Sequence, residues 1–321
     1  MAITTDAAAP PHRDAHDQLT HRGGLNPQLR RKRRRETREG WTFVGPAMLV
    51  ILGLSVFPAA WALLLSMQKW NGFATPKFVG ADNYVRLISD DEFIDAIVHT
   101  GLYVVLFVPA SVLAGLFLAV ALNRNIRFIG FYRTAIFVPF VASAAATGIL
   151  STYLFSPQYG LVNNVLRVVG LPAQGWLEDP SQAMVVIAIM SLWGQAAFTT
   201  VIYLAALQDI PGELVESAKI DGASRWQAFW FVVWPQLGPV TVFVTIWQVI
   251  GAIQLFDLVY TTTRGGPLDA TKTIVYFLWE KAFKNLQFGY GSAAAYVLFL
   301  VTLLITIGLV VYARRRNLEA F

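Results

Sequence analysis

Two sets of polar side chains in this sequence can do chemistry, and both lie in or beside long apolar runs. The first consists of amides and hydroxyls inside those runs: Gln195, Thr199 and Thr200 in one, Gln248, Gln254 and Asp257 in the next. Polar groups in lipid are costly and face a bundle interior, where these can hydrogen-bond one another or a polar solute. Trp193, Trp247 and Tyr296 offer flat apolar faces for stacking, or else they pack helices and anchor at interfaces. Asp257 also has two readings, solute contact or a membrane-edge group bonded to Arg264 or to backbone. The second set, centred on Glu216 and Asp221, sits in a polar connection over residues 208–236. No catalytic set is assembled. There is no cysteine, and three of the four histidines (His12, His16, His21) precede the first apolar run while His99 stands alone. The chain has no GxxxxGK[ST] phosphate loop, so it is expected to bind no cofactor and hydrolyse no ATP itself.

The elements that must position these groups are membrane helices. Of 321 residues, 55% are hydrophobic and 14% charged, against roughly 25% charged in soluble domains. Six runs long enough to span a bilayer, at about 42–68, 98–122, 134–155, 183–207, 237–262 and 293–313, predict an all-α integral membrane fold. Six spans place both termini on one side. Of 25 basic residues, 17 fall on that side, seven of them in Arg30–Arg38, so both termini are expected to be cytoplasmic. The cluster is thus a topological signal rather than a nucleic-acid site.

Residues 1–40 are expected to form a flexible basic cytoplasmic tail, 41–316 the transmembrane domain, and 317–321 a short cytoplasmic end. The first run is too long and starts too late for a cleavable signal. Asn83–Ile97 is predicted as a surface helix with Tyr84, Leu87 and Ile88 on one face. Pro109 and Pro139 are expected to kink spans two and three. No internal duplication is visible, which counts against a transporter of inverted repeats.

The 208–236 connection reads as helix, glycine turn, helix. Asp209 can cap, Pro211 suits a first turn, Glu213 and Glu216 lie toward the positive helix end, and Gly222 supplies a left-handed stop. Ser224 can cap the next helix, where Trp226, Phe229, Trp230 and Val233 make an apolar stripe along the membrane interface until Pro235 breaks it.

Glu216-Ser-Ala-Lys-Ile-Asp-Gly-Ala, followed by Phe229 and Trp234-Pro235, resembles the EAA loop of ABC importer permeases, with Ser217 for the middle alanine and Trp234 where leucine is usual. Phe78-Val-Gly-Ala-Asp-Asn-Tyr, Phe155-Ser-Pro-Gln-Tyr-Gly-Leu, Leu204-Ala-Ala-Leu-Gln-Asp-Ile-Pro and Thr263-Arg-Gly-Gly-Pro are similar to carbohydrate importer permeases of the maltose and glycerol-3-phosphate type, over about residues 42–315. The resemblance implies the six-helix type I importer permease fold in a bacterial-type inner membrane. It implies that Glu216, Ser217, Ala218, Asp221, Gly222, Ala223 and Arg225 contact an ATPase. It also implies the partners: a second permease forming a heterodimer, two cytoplasmic ATPase subunits or domains carrying ATP and Mg, and an extracytoplasmic solute-binding protein, within membrane lipid and without nucleic acid.

The solute pathway is expected from intramembrane polarity, at Gln195, Thr199, Thr200, Trp247, Gln248, Gln254 and Asp257. No basic residue lies deep in a span, which favours a neutral sugar. Glycerol-3-phosphate or a glycerophosphodiester stays open, because a partner can supply the cation. An ion-coupled secondary transporter would need intramembrane carboxylates, and only Asp257 is present. A membrane enzyme lacks a catalytic set, and a scaffold would leave the EAA-like sequence unexplained.

Overall fold

The computed structural model describes residues 27–124 and 127–316. The chain divides into two units, residues 1–60 and 61–321. The first unit is helical from Pro27: Pro27–Ile51, a π-helical turn Leu52–Val56, and a helix from Phe57 that runs on to Ser66. Its apolar part, Glu39–Ser66, is the first span. Residues 27–40, expected in the basic tail, are thus helical, while residues 1–26 of that tail and the expected C-terminal end at 317–321 lie outside the described part. Arg, Lys, Gln and Glu are strong helix formers, and a helix already nucleated in the apolar run propagates through them at little cost.

In the second unit the spans are Asp91–Leu122, Ala183–Asp209, Gly238–Thr261 and Phe288–Arg315, plus a bent pair, Ile129–Val141 and Ala144–Leu154. Span three is thus not the single helix expected over 134–155, because its halves meet at 99°. Pro139 removes one helical donor near the end of the first half. Ala142 and Ser143 are extended, and the Ser143 hydroxyl accepts from Ala146 N at 3.2 Å, capping the second half. Span two, in contrast, runs as one helix through Pro109. Span five is interrupted at residues 254–256, between Gly238–Ile253 and Asp257–Thr261. The predicted 83–97 helix is two helices, Asp82–Ile88 and the start of span two, because Asp90 accepts from Glu92 N and Phe93 N and so caps the latter. Leu87 is buried, whereas Ile88 faces outward.

Spans two and four cross closely at Gly115, where an added Cβ would sit 2.2 Å from Thr199 Cγ2. Beside the crossing, Gln248 of span five donates to Ser111 and, at 3.1 Å, to Thr199, and the two hydroxyls lie 3.2 Å apart. All three side chains are buried. Around this polar link pack Tyr103, Phe107, Ile187, Ile253 and Val259 toward one end, and Leu116, Tyr203, Leu237 and Val244 toward the other.

The connection between spans five and six is tied to span two by charge. Lys272 Nζ lies 2.7 Å from Glu92, 3.0 Å from Asp269 and 3.1 Å from Glu280. Lys281 reaches Glu92 at 2.6 Å, and Lys284 reaches Glu280 at 2.6 Å. Burial opposes the charge on Glu280, but hydrogen bonds from Lys284 and Lys272 outweigh it and hold the carboxyl below its ordinary 4.5. For Lys272, burial is likewise outweighed by hydrogen bonds to Glu92, Asp269 and Glu280, and its ammonium titrates above the ordinary 10.5. The stability from Glu280 is present above 4.5 and disappears as pH falls through the lower folded value; that from Lys272 is complete below 10.5 and is lost only on further alkalinisation. Hydrogen exchange should therefore show residues 268–284 protected evenly through neutral pH and opening below about 4.5. Unchanged protection in that acid range would show that the charges do not hold this connection.

Candidate functional site

The 208–236 loop is built from local capping. Asp209 ends span four instead of capping the next helix, whose N-cap is Pro211. The helix Gly212–Ile220 stops where Gly222, at φ +87°, allows Gly222 N to bond Lys219 O at 3.0 Å and Ala223 N to bond Ala218 O at 2.9 Å. Ser224 then opens the next helix with a reciprocal cap, accepting from Gln227 N while its own N–H donates to Gln227 Oε1. On the short helix, Val215 and Ala218 are half-buried, whereas Glu213, Glu216, Ser217 and Ile220 are exposed, Ile220 at 86%. Asp221, Gly222 and Arg225 are exposed as well, and Ala223 is half-buried. Trp226 and Phe229 stack, Trp230 packs edge-on against both, and it continues the cluster edge-on to Trp234. Pro235 does not break this stretch: a π-helical turn at Phe229–Val233 absorbs the missing donor, and helix resumes through Trp234–Gln236 into span five.

A second feature is a cavity of about 270 Å³ among spans two, three, four and five. Gln195, Gln248, Gln254 and Asp257 all line it. The break in span five places Gln254 and Asp257 there, and the bend in span three contributes Phe140 and Thr147. Gln195, Gln254 and Asp257 are exposed and make no side-chain hydrogen bond among the described residues. Asp257 forms no ion pair with Arg264 among the described residues, which leaves its carboxylate free toward the cavity.

Three expected pathway residues lie elsewhere. Thr199 is held in the link to Ser111 and Gln248, and Thr200 donates to Ala196 O at 2.6 Å. Trp247 stacks with Phe198 at 5.3 Å and Phe243 at 6.3 Å, outside the lining. Trp193 and Tyr296 are also absent from it. Ser191 and Tyr103, not singled out by sequence, do line it. Ser191 precedes Gln195 by one helical turn, the spacing that marks a shared face.

A family model described as "Binding-protein-dependent transport system inner membrane component" matches residues 93–320. The lactose transport system permease protein LacF of Rhizobium radiobacter is 38% identical over 284 residues, covering 87% of this chain and 94% of the relative. The chain belongs to this permease family. Among other relatives, the sn-glycerol-3-phosphate transport system permease protein UgpA of Agrobacterium fabrum is 31% identical over 268 residues, with 83% and 91% covered. A crystal structure of a bacterial alginate ABC transporter in complex with alginate pentasaccharide-bound periplasmic protein superposes with a TM-score of 0.80 at 21% identity, covering 90% of this chain and 99% of that one. This permease accordingly has the type I ABC importer fold and is a membrane-embedded transport subunit of a binding-protein-dependent ABC importer.

Proposed function

We propose that this permease is one half of a heterodimeric pathway for a neutral sugar, driven by two partner ATPases that carry ATP and Mg, with both termini and the 208–236 loop cytoplasmic. The observation that carries the reading is the lining of the cavity: three glutamines, one carboxylate, serine and aromatic faces, with no lysine or arginine among the described residues. Amides and carboxylates bond sugar hydroxyls, while a phosphorylated solute needs a cation. At about 270 Å³ the cavity falls just short of the roughly 300–1,000 Å³ of a complete small-molecule site, which suits half a site completed by a second permease. The name of LacF, a lactose transport system permease protein, agrees with this reading.

Energy enters at the opposite feature. The exposed Glu213, Glu216 and Ile220 face gives an ATPase an apolar anchor one turn beyond two acids. Gly222 fixes the angle of that lever, and the Trp226, Phe229 and Trp230 cluster seats it at the bilayer surface.

The reconstituted complex with its binding protein should hydrolyse ATP faster with a neutral disaccharide than with glycerol-3-phosphate. Gln195→Leu and Gln254→Leu should each raise the half-saturating sugar concentration for transport about fivefold, the effect of losing one hydrogen bond. Stimulation by the phosphorylated compound alone would overturn the neutral-sugar assignment.

A further inference from the structure

An apolar groove of about 970 Å³ separates span two from the loop that follows span four. Leu113, Phe117 and Val120 form one wall, and Phe229 and Trp230 the other. Leu113 and Phe117 are 64% and 73% exposed. From Leu113 to its end at Leu122 span two advances roughly 14 Å at about 1.5 Å per residue, close to half of the ~30 Å hydrocarbon core. The groove is therefore as long as one bilayer leaflet.

The charged part of its lining is basic. Arg124, Lys219 and Arg225 all line the groove where span two meets the loop, and no carboxylate joins them there among the described residues. None of these three cations is in an ion pair among the described residues. Arg124 also lines an adjoining cavity of about 430 Å³ with Arg127 and Arg133, which adds to the local positive potential. An apolar trough one leaflet long, ending in unpaired cations, matches an amphiphile with one anionic end.

We propose that the groove binds one anionic phospholipid, its acyl chain along Leu113 and Phe117 and its phosphate among Arg124, Lys219 and Arg225. Val215 and Lys219 belong to the same short helix that ends at Ile220, so the lipid touches the lever itself. Net negative charge on the headgroup thus steadies the helix from its bundle side, whichever solute is carried. Phosphatidylcholine, with a compensating ammonium, is held less well.

The test uses the complete purified transporter in mixed micelles. Native mass spectrometry should detect retained phosphatidylglycerol in preference to phosphatidylcholine. Arg124→Gln combined with Lys219→Gln should weaken phosphatidylglycerol retention about thirtyfold, the product of two headgroup contacts. As a second measurement that does not depend on those charges, phosphatidylglycerol brominated on its acyl chain should quench tryptophan emission in the wild type. The quenching should fall in Trp226→Phe/Trp230→Phe. Equal retention of the two lipids, retention indifferent to the charge changes, or quenching unaltered by the tryptophan changes would overturn the proposal; the last would mean that no lipid chain lies in the groove and would leave it open to a protein partner.

Discussion

Gly222→Pro should leave the importer assembled but reduce binding-protein-stimulated ATP hydrolysis by more than about tenfold. The left-handed φ of +87° is closed to proline, whose φ is fixed near −65°. The substitution also deletes the N–H that Gly222 donates to Lys219 O. Together these cost about 3 kcal/mol at the turn, more than the 1.4 kcal/mol that makes a tenfold change in a contact. No heavy atom lies within 4 Å of a Cβ built on Gly222, so the damage is conformational and local, not a clash. Gly222→Ala isolates the conformational part: left-handed alanine costs about 1–2 kcal/mol and should give an intermediate loss. Glu216→Lys, which leaves the turn intact and reverses an exposed charge, should depress stimulation through the partner contact alone. Normal stimulation in Gly222→Pro would remove the proposed role of the loop as a fixed-angle lever.

Why this loop was legible, and the cavity only partly so, has a physical basis. Capping is local. Ser224, Gln227 and Gly222 act on backbone groups within a few residues, so sequence spacing already contains the partner. The spans were legible for the same kind of reason, since length and apolarity belong to each segment alone. What could not be read was the pairing of one helix with another. Gln195 and Thr199 are one turn apart on span four, yet only Gln195 reaches the cavity. Span two decides this: Gly115 and Ser111 are small and close over Thr199, whereas Tyr103 and Phe107 are large and line the open space beside Gln195. The bend of span three was legible only in part. Pro139 was visible, but the break falls at Ala142–Ser143, where a serine caps a new helix inside a run of small residues. Pro235 shows the converse, since its neighbours accommodate it in a π-helical turn and the helix continues.

The crossing at Gly115 carries the other large expected effect. Gly115→Ala adds one methyl group, placed 2.2 Å from Thr199 Cγ2, 2.6 Å from Thr199 Cβ and 3.1 Å from a Thr199 backbone carbon. A side-chain rotation can clear the first contact but not the other two, so spans two and four must separate. Separation stretches the buried hydrogen bonds joining Ser111, Thr199 and Gln248. Overpacking of this kind costs about 3 kcal/mol, and in lipid no hydrophobic term between helices offsets it. The assembled permease should show a clearly lower thermal midpoint and reduced yield. Gln195 and Gln248 should shift relative to each other, since they sit on the two helices held by that link, so sugar affinity should fall even in the fraction that assembles. Thr199→Gly removes all the offending side-chain atoms and should restore part of the stability when combined with Gly115→Ala, giving a coupling energy in a double-mutant cycle well outside additivity. Additive effects of the two changes, or an unaltered midpoint in Gly115→Ala, would mean that the close approach of spans two and four does not hold the cavity together.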